Sequence, residues 1–157
     1  MKVIIADFSD RKTVENLMQL YLHDLSVYTN ESTDQDGLFD LGEYFHMYWS
    51  EQDRYPYLCV VNDMPVGFAL VRKLTIDSFS ISEFFILHSS RRKGIATQFA
   101  QKVFNLHYGK WEVAQLELNK PAQMFWRKVI SNYTRDNFIE EWSALQPKGP
   151  KQIFNSQ

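Results

Sequence analysis

Residues 79–97 constrain this chain more than any other stretch. An apolar, aromatic run from Phe79 to Leu87 is followed by His88-Ser89-Ser90-Arg91-Arg92-Lys93, and a helical pattern then opens at Gly94. Aromatic and β-branched residues with period-two apolar spacing mark a strand. Ile95, Phe99, Val103 and Leu106 return to the spacing of one helix face. A strand therefore ends, a short basic turn follows, and a helix starts at a glycine. Free N–H groups at a helix N-terminus point outward, and the aligned peptide dipoles add partial positive charge there. Gly94 lets a ligand approach the backbone closely and Ala96 keeps the next turn small. Arg91, Arg92 and Lys93 add full positive charge. Physically this is a place for a pyrophosphate. A solvated basic turn ahead of an ordinary helix is the other reading of the same residues. The chain carries neither Gly-x-Gly-x-x-Gly nor Gly-x-x-x-x-Gly-Lys-Ser/Thr, so a phosphate here does not belong to a conventionally bound NAD or ATP.

The rest of the chain supplies alternating strands and helices. Residues 3–6 read as a first strand, and Ser9 or Asp10 offers an N-cap. Val14, Leu17, Met18, Tyr21, Leu22 and Leu25 then form the clearest amphipathic helix. Residues 28–40 are polar and acidic without either period, a long loop of the kind that is more often functional than idle. An aromatic-rich helix is expected over 41–49. Strands over 57–61 and 66–72 flank Asn62-Asp63-Met64-Pro65, a hairpin connection. A strand over 111–118, a helix carrying Ala122, Phe125, Trp126, Val129 and Ile130, and a closing hairpin of 138–142 with 152–154 complete the order. The expected fold is α/β (α+β), a mixed sheet with helices on its faces.

At 157 residues the chain fits one domain. A net charge of -2 speaks against a general nucleic-acid binder. Cys59 is the single cysteine, so an internal disulfide is excluded and a reducing compartment suits the chain. An acid at Asp7 comes too early for a signal peptide, and no apolar run approaches the roughly 20 residues that span a bilayer. The expectation is a cytoplasmic protein bound to no membrane. His23, His46, His88 and His107 lack paired ligand spacing, so no metal site is expected.

Arg91-Arg92-Lys93-Gly94-Ile95-Ala96 resembles the Gln/Arg-x-x-Gly-x-Gly/Ala signature of the GNAT acyltransferase superfamily. Asn119-Lys120-Pro121-Ala122-Gln123-Met124-Phe125-Trp126 resembles that family's Asn-x-x-Ala-x-x-aromatic segment, which likewise follows a strand and opens a helix. The element order also matches over nearly the whole chain. The resemblance implies a mostly antiparallel sheet with splayed central strands and acetyl-CoA bound at the splay. It assigns the pantetheine contacts to the backbone of Phe84 and of Ile86 or Leu87, and the pyrophosphate to Arg92, Lys93, Gly94, Ile95, Ala96 and Thr97 behind Arg91. Asn119 would contact the pantetheine side, beside Phe125 and Trp126. A strand N–H would meet the oxyanion formed on acyl transfer. A homodimer through the final strands is a further analogy.

Trp126 stands where the family often has a Tyr that protonates the departing thiolate. An indole N–H donates a hydrogen bond but is no acid at neutral pH. A thiol of pKa ~8.5 leaves reasonably well unaided, and Tyr133, Tyr108 or water are the substitutes; no general acid is assigned. Glu83 is the candidate base, because in a regular strand it alternates with Phe79, Ile81, Phe85 and Leu87 and so lies on an apolar face, where burial raises a carboxyl pKa. The competing reading pairs it with Lys73 or Arg72, or lets a bulge flip its facing. Tyr21, Tyr28, Tyr44, Phe45 and Tyr48 either line an acceptor pocket or pack the first two helices together. Asp34, Asp36 and Asp40 either attract a cation or are solvated. Cys59 is expected to be a buried strand thiol rather than an acyl carrier. The expected reaction is acetyl transfer from acetyl-CoA to a primary amine of a small molecule or peptide, by direct attack in a ternary complex. The alternatives are a non-catalytic acyl-CoA sensor or interaction module and, third, a nucleic-acid-binding domain using Arg91 to Lys93.

Overall fold

The computed structural model describes residues 1–156 and shows a mixed seven-stranded sheet with helices on both faces. The strands are β1 (Lys2–Ile5), β2 (Arg54–Val61), β3 (Met64–Thr75), β4 (Ser78–Ile86), β5 (Lys110–Ala114), β6 (Ile139–Ser143) and β7 (Gly149–Asn155). Their order across the sheet is β1-β2-β3-β4-β5-β7-β6, with only β4 and β5 parallel. The helices are α1 (Arg11–Thr29), α2 (Glu43–His46), α3 (Ile95–Asn105) and α4 (Lys120–Thr134). No helix among the described residues is long and apolar enough to cross a membrane.

The apolar stripe of α1 buries Val14, Leu17, Met18 and Leu22. Asp10 stands at the N-cap position of α1, as expected, but makes no side-chain cap bond there. Asp7 accepts from the Ser9 N–H at 2.7 Å and caps the 3-10 turn, Phe8–Asp10, that feeds the helix. The aromatic helix expected over 41–49 is only the four-residue α2 followed by a 3-10 turn, Met47–Trp49, and Phe45 and Tyr48 are buried there. The β2–β3 hairpin closes on Asn62 and Asp63 alone, both left-handed (φ 51° and 59°), as a two-residue turn that matches strand twist requires. Met64 and Pro65 already belong to β3.

Two cores sandwich the sheet. Phe99, Val103, Phe104, Trp111, Trp126, Ile130 and Phe154 pack between the sheet and α3 with α4. Val14, Met18, Phe45, Phe68, Leu70 and Phe85 pack on the opposite face with α1 and α2. At the far edge, β6 leaves Ile139 and Trp142 exposed.

Two irregularities in β4 position everything that follows. The first is a bulge: Leu70 pairs with Glu83 but Val71 pairs with Ile81, so Ser82 is an extra residue and the facing of the strand reverses. Phe79 and Ile81 belong to the core under α3 and α4, as do Phe84 and Ile86, whereas Phe85 joins the core under α1. Glu83 therefore does not alternate with Phe79 and Ile81. It shares its face with Phe85, towards α1.

The second is a splay. β4 and β5 pair only from Ser78–Lys110 to Ile81–Val113. β5 ends at Ala114, four residues short of the expected 118, although Gln115 and Glu117 still donate their N–H groups to the Pro150 and Lys148 carbonyls on the β7 side. From Ser82 to Ile86, β4 thus has β3 on one side and no strand on the other.

Candidate active site

A cleft of about 650 Å³ fills the splay. Its walls are the end of β4, the turn from His88 to Gly94, the first turns of α3 and α4, and one face of α1. Backbone parity along β4 decides which groups face it. The Leu87 N–H donates to the Val66 carbonyl at 2.9 Å, on the β3 side. Phe84 and Ile86, of opposite parity, turn their backbone groups towards the gap. The Ile86 carbonyl already accepts from Arg91 Nε at 2.7 Å, leaving the Ile86 N–H and both Phe84 groups for a ligand. Leu87, offered as an alternative to Ile86, is therefore corrected: its N–H is committed to β3 and the residue does not line the cleft.

The basic turn winds through two left-handed residues, Arg92 (φ 59°) and Gly94 (φ 75°), before α3 begins. No side chain caps α3, so the N–H groups of its first turn stay without intrahelical partners. A Cβ built on Gly94 meets only Gln98 Nε2, at 3.7 Å. Internal packing therefore does not require a glycine there. The left-handed backbone is what favours glycine there, and the space above it is open to a ligand.

The three basic residues divide into separate roles. Arg91 is a tie rather than a free cation. Besides the Ile86 carbonyl, its Nη2 meets Asp24 of α1 at 2.6 Å, its Nη1 lies 3.0 Å from His88 Nε2, and its guanidinium sits 5.6 Å from the Phe85 ring centre. His88 is itself 3.1 Å from Asp24. This cluster pins the turn to α1. Lys93 folds back on the Ser89 carbonyl at 2.8 Å and stands outside the cleft, as does Ile95. Arg91 and Arg92, with Gly94, Ala96 and Thr97, line it.

On the opposite wall, Asn119 lines the cleft while its Oδ1 accepts from the Ala122 N–H at 3.1 Å, capping α4 ahead of a proline in the first turn. The side-chain NH₂ is left to face a ligand. Phe125 and Trp126 also line the cleft. Trp126 is 6% exposed and edge-on to Phe84, with ring centres 4.9 Å apart, so it serves the core and the cleft together. Neither proposed substitute acid is there. The Tyr133 hydroxyl donates to Asn105 at 2.6 Å, and Tyr108 is 86% exposed outside the cleft.

Glu83 is not among the lining residues, and no ion pair joins it to Lys73, Arg72 or any other described cation. It accepts instead from two phenols, Tyr21 at 2.5 Å and Tyr44 at 2.9 Å. Burial pushes its pKa above the usual carboxylate value; the two phenol hydrogen bonds pull the other way, and Glu31 adds to the rise.

Tyr21, Asp24, Leu25 and Tyr28 of α1 complete the cleft. Their spacing of 3, 4 and 7 from Tyr21 was the available signal, since it places all four on one stripe of the clearest helix. The acidic loop contributes structure: Asp34 accepts from the N–H groups of Asp36 (2.9 Å) and Leu38 (3.0 Å), and Asp40 from that of Gly42 (2.9 Å).

Cys59 is fully buried, and desolvation pushes its thiol up to about 11. It is no acyl carrier. In native protein it is expected to react with an aromatic disulfide reagent at least about 100-fold slower than in urea, because only the thiolate attacks. Equal rates in the two solvents would contradict this placement.

Comparison with known proteins agrees with this geometry. The profile of the acetyltransferase (GNAT) family matches residues 14–130. The chain belongs to the GNAT acetyltransferase family. No curated protein matches it, but many solved structures share its fold. An acetyltransferase of the GNAT family from Staphylococcus aureus Mu50 is 17% identical over 99% of each chain, with a TM-score of 0.64. The PaiA N-acetyltransferase from Thermoplasma acidophilum, solved with coenzyme A, is 8% identical over 98% of each chain at 0.67. An aminoglycoside 6'-acetyltransferase type Ii is 12% identical over 99% of this chain and 97% of its own, at 0.66. At such identities the structures share the fold of this GNAT protein, while the family profile carries the membership and, with it, acyl transfer as the general chemistry.

Proposed function

We propose that this GNAT protein is a single-domain cytoplasmic N-acetyltransferase that moves an acetyl group from acetyl-CoA to a primary amine of a small molecule or peptide, by direct attack in a ternary complex. The observation that carries the reading is a coincidence in one cleft. Unpaired β4 backbone beyond Ile81 and the uncapped α3 N-terminus at a left-handed Gly94 open onto the same space. The first suits an amide-bearing arm, and the second suits a pyrophosphate. The structural neighbour solved with coenzyme A supports the same cosubstrate.

Acetyl-CoA supplies the activated thioester. The chain's own residues do the rest. Phe84 and Ile86 backbone groups orient the arm, and the first-turn amides of α3 with Arg92 hold the phosphates. A β4 N–H directed at the thioester carbonyl stabilises the negative charge that develops on its oxygen. Holding both reactants in one cleft supplies much of the acceleration. An alkylamine of pKa ~10.4 costs about 4.6 kcal/mol to deprotonate at pH 7, and Glu83, with its raised pKa, is the proton sink.

Calorimetric titration tests the cosubstrate. Acetyl-CoA and desulfo-CoA are expected to bind saturably and ATP not to, with thiol release following on addition of amines. A protein that binds none of the CoA compounds would overturn the assignment.

A further inference from the structure

The cleft reaches Tyr21 but not Glu83. Tyr21 therefore links the two: it is part of the cleft wall, and its hydroxyl donates to the Glu83 carboxylate at 2.5 Å. We propose that Tyr21 is the catalytic residue that takes the proton from the acceptor amine, passing its own phenolic proton to Glu83 as it does so. This rests on the acyl-transfer reading above and deepens it.

The step balances without an added reagent. An N–H bond of the ammonium breaks and its proton bonds to Tyr21 Oη. The original Tyr21 O–H bond breaks and that proton bonds to Glu83 Oε2. The amine gains its lone pair, Tyr21 stays neutral throughout, and Glu83 becomes a neutral acid. A phenolate is never formed, in keeping with the strong resistance of Tyr21 to ionisation: burial raises its pKa first, and the adjacent Glu83 charge second.

Three further observations support the relay. Among the described residues no cation pairs with Glu83, so only the two phenol hydrogen bonds offset the cost of burying its charge. Tyr21 is fixed in place by an edge-on contact with Phe68, with centres 5.8 Å apart, and by Phe85 at 6.1 Å. Tyr44 accounts for the other carboxylate oxygen at 2.9 Å; it lies outside the cleft and is 37% exposed. It offers the path by which Glu83 returns its proton to water.

Amines of different basicity test the relay. Methylamine is protonated at pH 7 and needs a proton acceptor, whereas trifluoroethylamine is largely free base and does not. Thiol release from acetyl-CoA is measured with both, and acetyl-CoA affinity is followed by titration. Tyr21→Phe, which keeps the ring contacts, is expected to lower kcat/KM for methylamine about 100-fold and that for trifluoroethylamine no more than about threefold, with acetyl-CoA affinity unchanged. Glu83→Gln is expected to reproduce the same disparity, which guards against poor folding of either variant. Equal losses for both amines would overturn the relay while leaving acyl transfer intact. A wild-type protein that binds acetyl-CoA yet releases thiol with neither amine would overturn the acyl-transfer reading, and the relay with it.

Discussion

Gly94→Glu is expected to weaken acetyl-CoA binding at least 100-fold, about 2.7 kcal/mol, while the protein still unfolds cooperatively. Two separate costs are involved, and a second variant divides them. The backbone at Gly94 is left-handed at φ 75°, so any side chain there costs roughly 1 kcal/mol of stability. A new Cβ meets nothing but Gln98 Nε2 at 3.7 Å, so no steric cost is added. Gly94→Ala isolates that backbone cost and keeps most of the affinity. Glutamate adds a charge over the uncapped end of α3, where the pyrophosphate would lie. At about 5 Å and an effective dielectric near 20, repulsion from one phosphate charge is about 3 kcal/mol. Calorimetry with acetyl-CoA and urea unfolding of both variants checks the pair of effects. Affinity equal to wild type in Gly94→Glu would remove the phosphate site from α3.

That site was legible in the sequence because its chemistry is local. A strand, a basic turn and a glycine-opened helix are contiguous, so the backbone donors of α3 can be assigned from order alone. The fold was legible for a similar reason: each long element carries its own period, as the Val14, Leu17, Met18 and Leu22 stripe of α1 shows. What escaped the sequence depends on contacts between distant segments. The bulge at Ser82 is set by the register of β4 against β3, and it moved Glu83 from the face of Phe79 and Ile81 to that of Phe85. No spacing rule reveals that shift. The partners of Glu83 lie 62 and 39 residues away, on α1 and α2, where tyrosines suit core packing equally well. Arg91 is a parallel case. Its charge was visible, but its commitment to Asp24, 67 residues upstream, was not. The parting of β5 from β4 after Ile81 and Val113 belongs to the same class, because it depends on pairing between segments distant in sequence.

Gly67→Ala is expected to destabilise the protein by about 3 kcal/mol and to weaken acetyl-CoA binding as well. Gly67 pairs with Ile86 where β4 leaves the sheet for the basic turn. A Cβ there lies 2.2 Å from the Phe85 carbonyl oxygen and 3.1 Å from the Ile86 Cα. Both are backbone atoms, so no rotamer change relieves the clash and the end of β4 must move. That end carries the two residues whose backbone faces the cleft, Phe84 and Ile86, and the carbonyl to which Arg91 is bonded. Displacing it loosens both halves of the site together, the arm-binding strand and the pinned turn. The variant therefore separates a positional role from a merely stabilising one. Urea unfolding gives the stability loss. Titration at a temperature where the variant is fully folded then gives its residual acetyl-CoA affinity, expected to fall about tenfold. Lost stability with wild-type affinity in the folded fraction would mean that β4 relaxes without disturbing its cleft-facing edge, and that the splay tolerates more movement than its bonding to Arg91 implies.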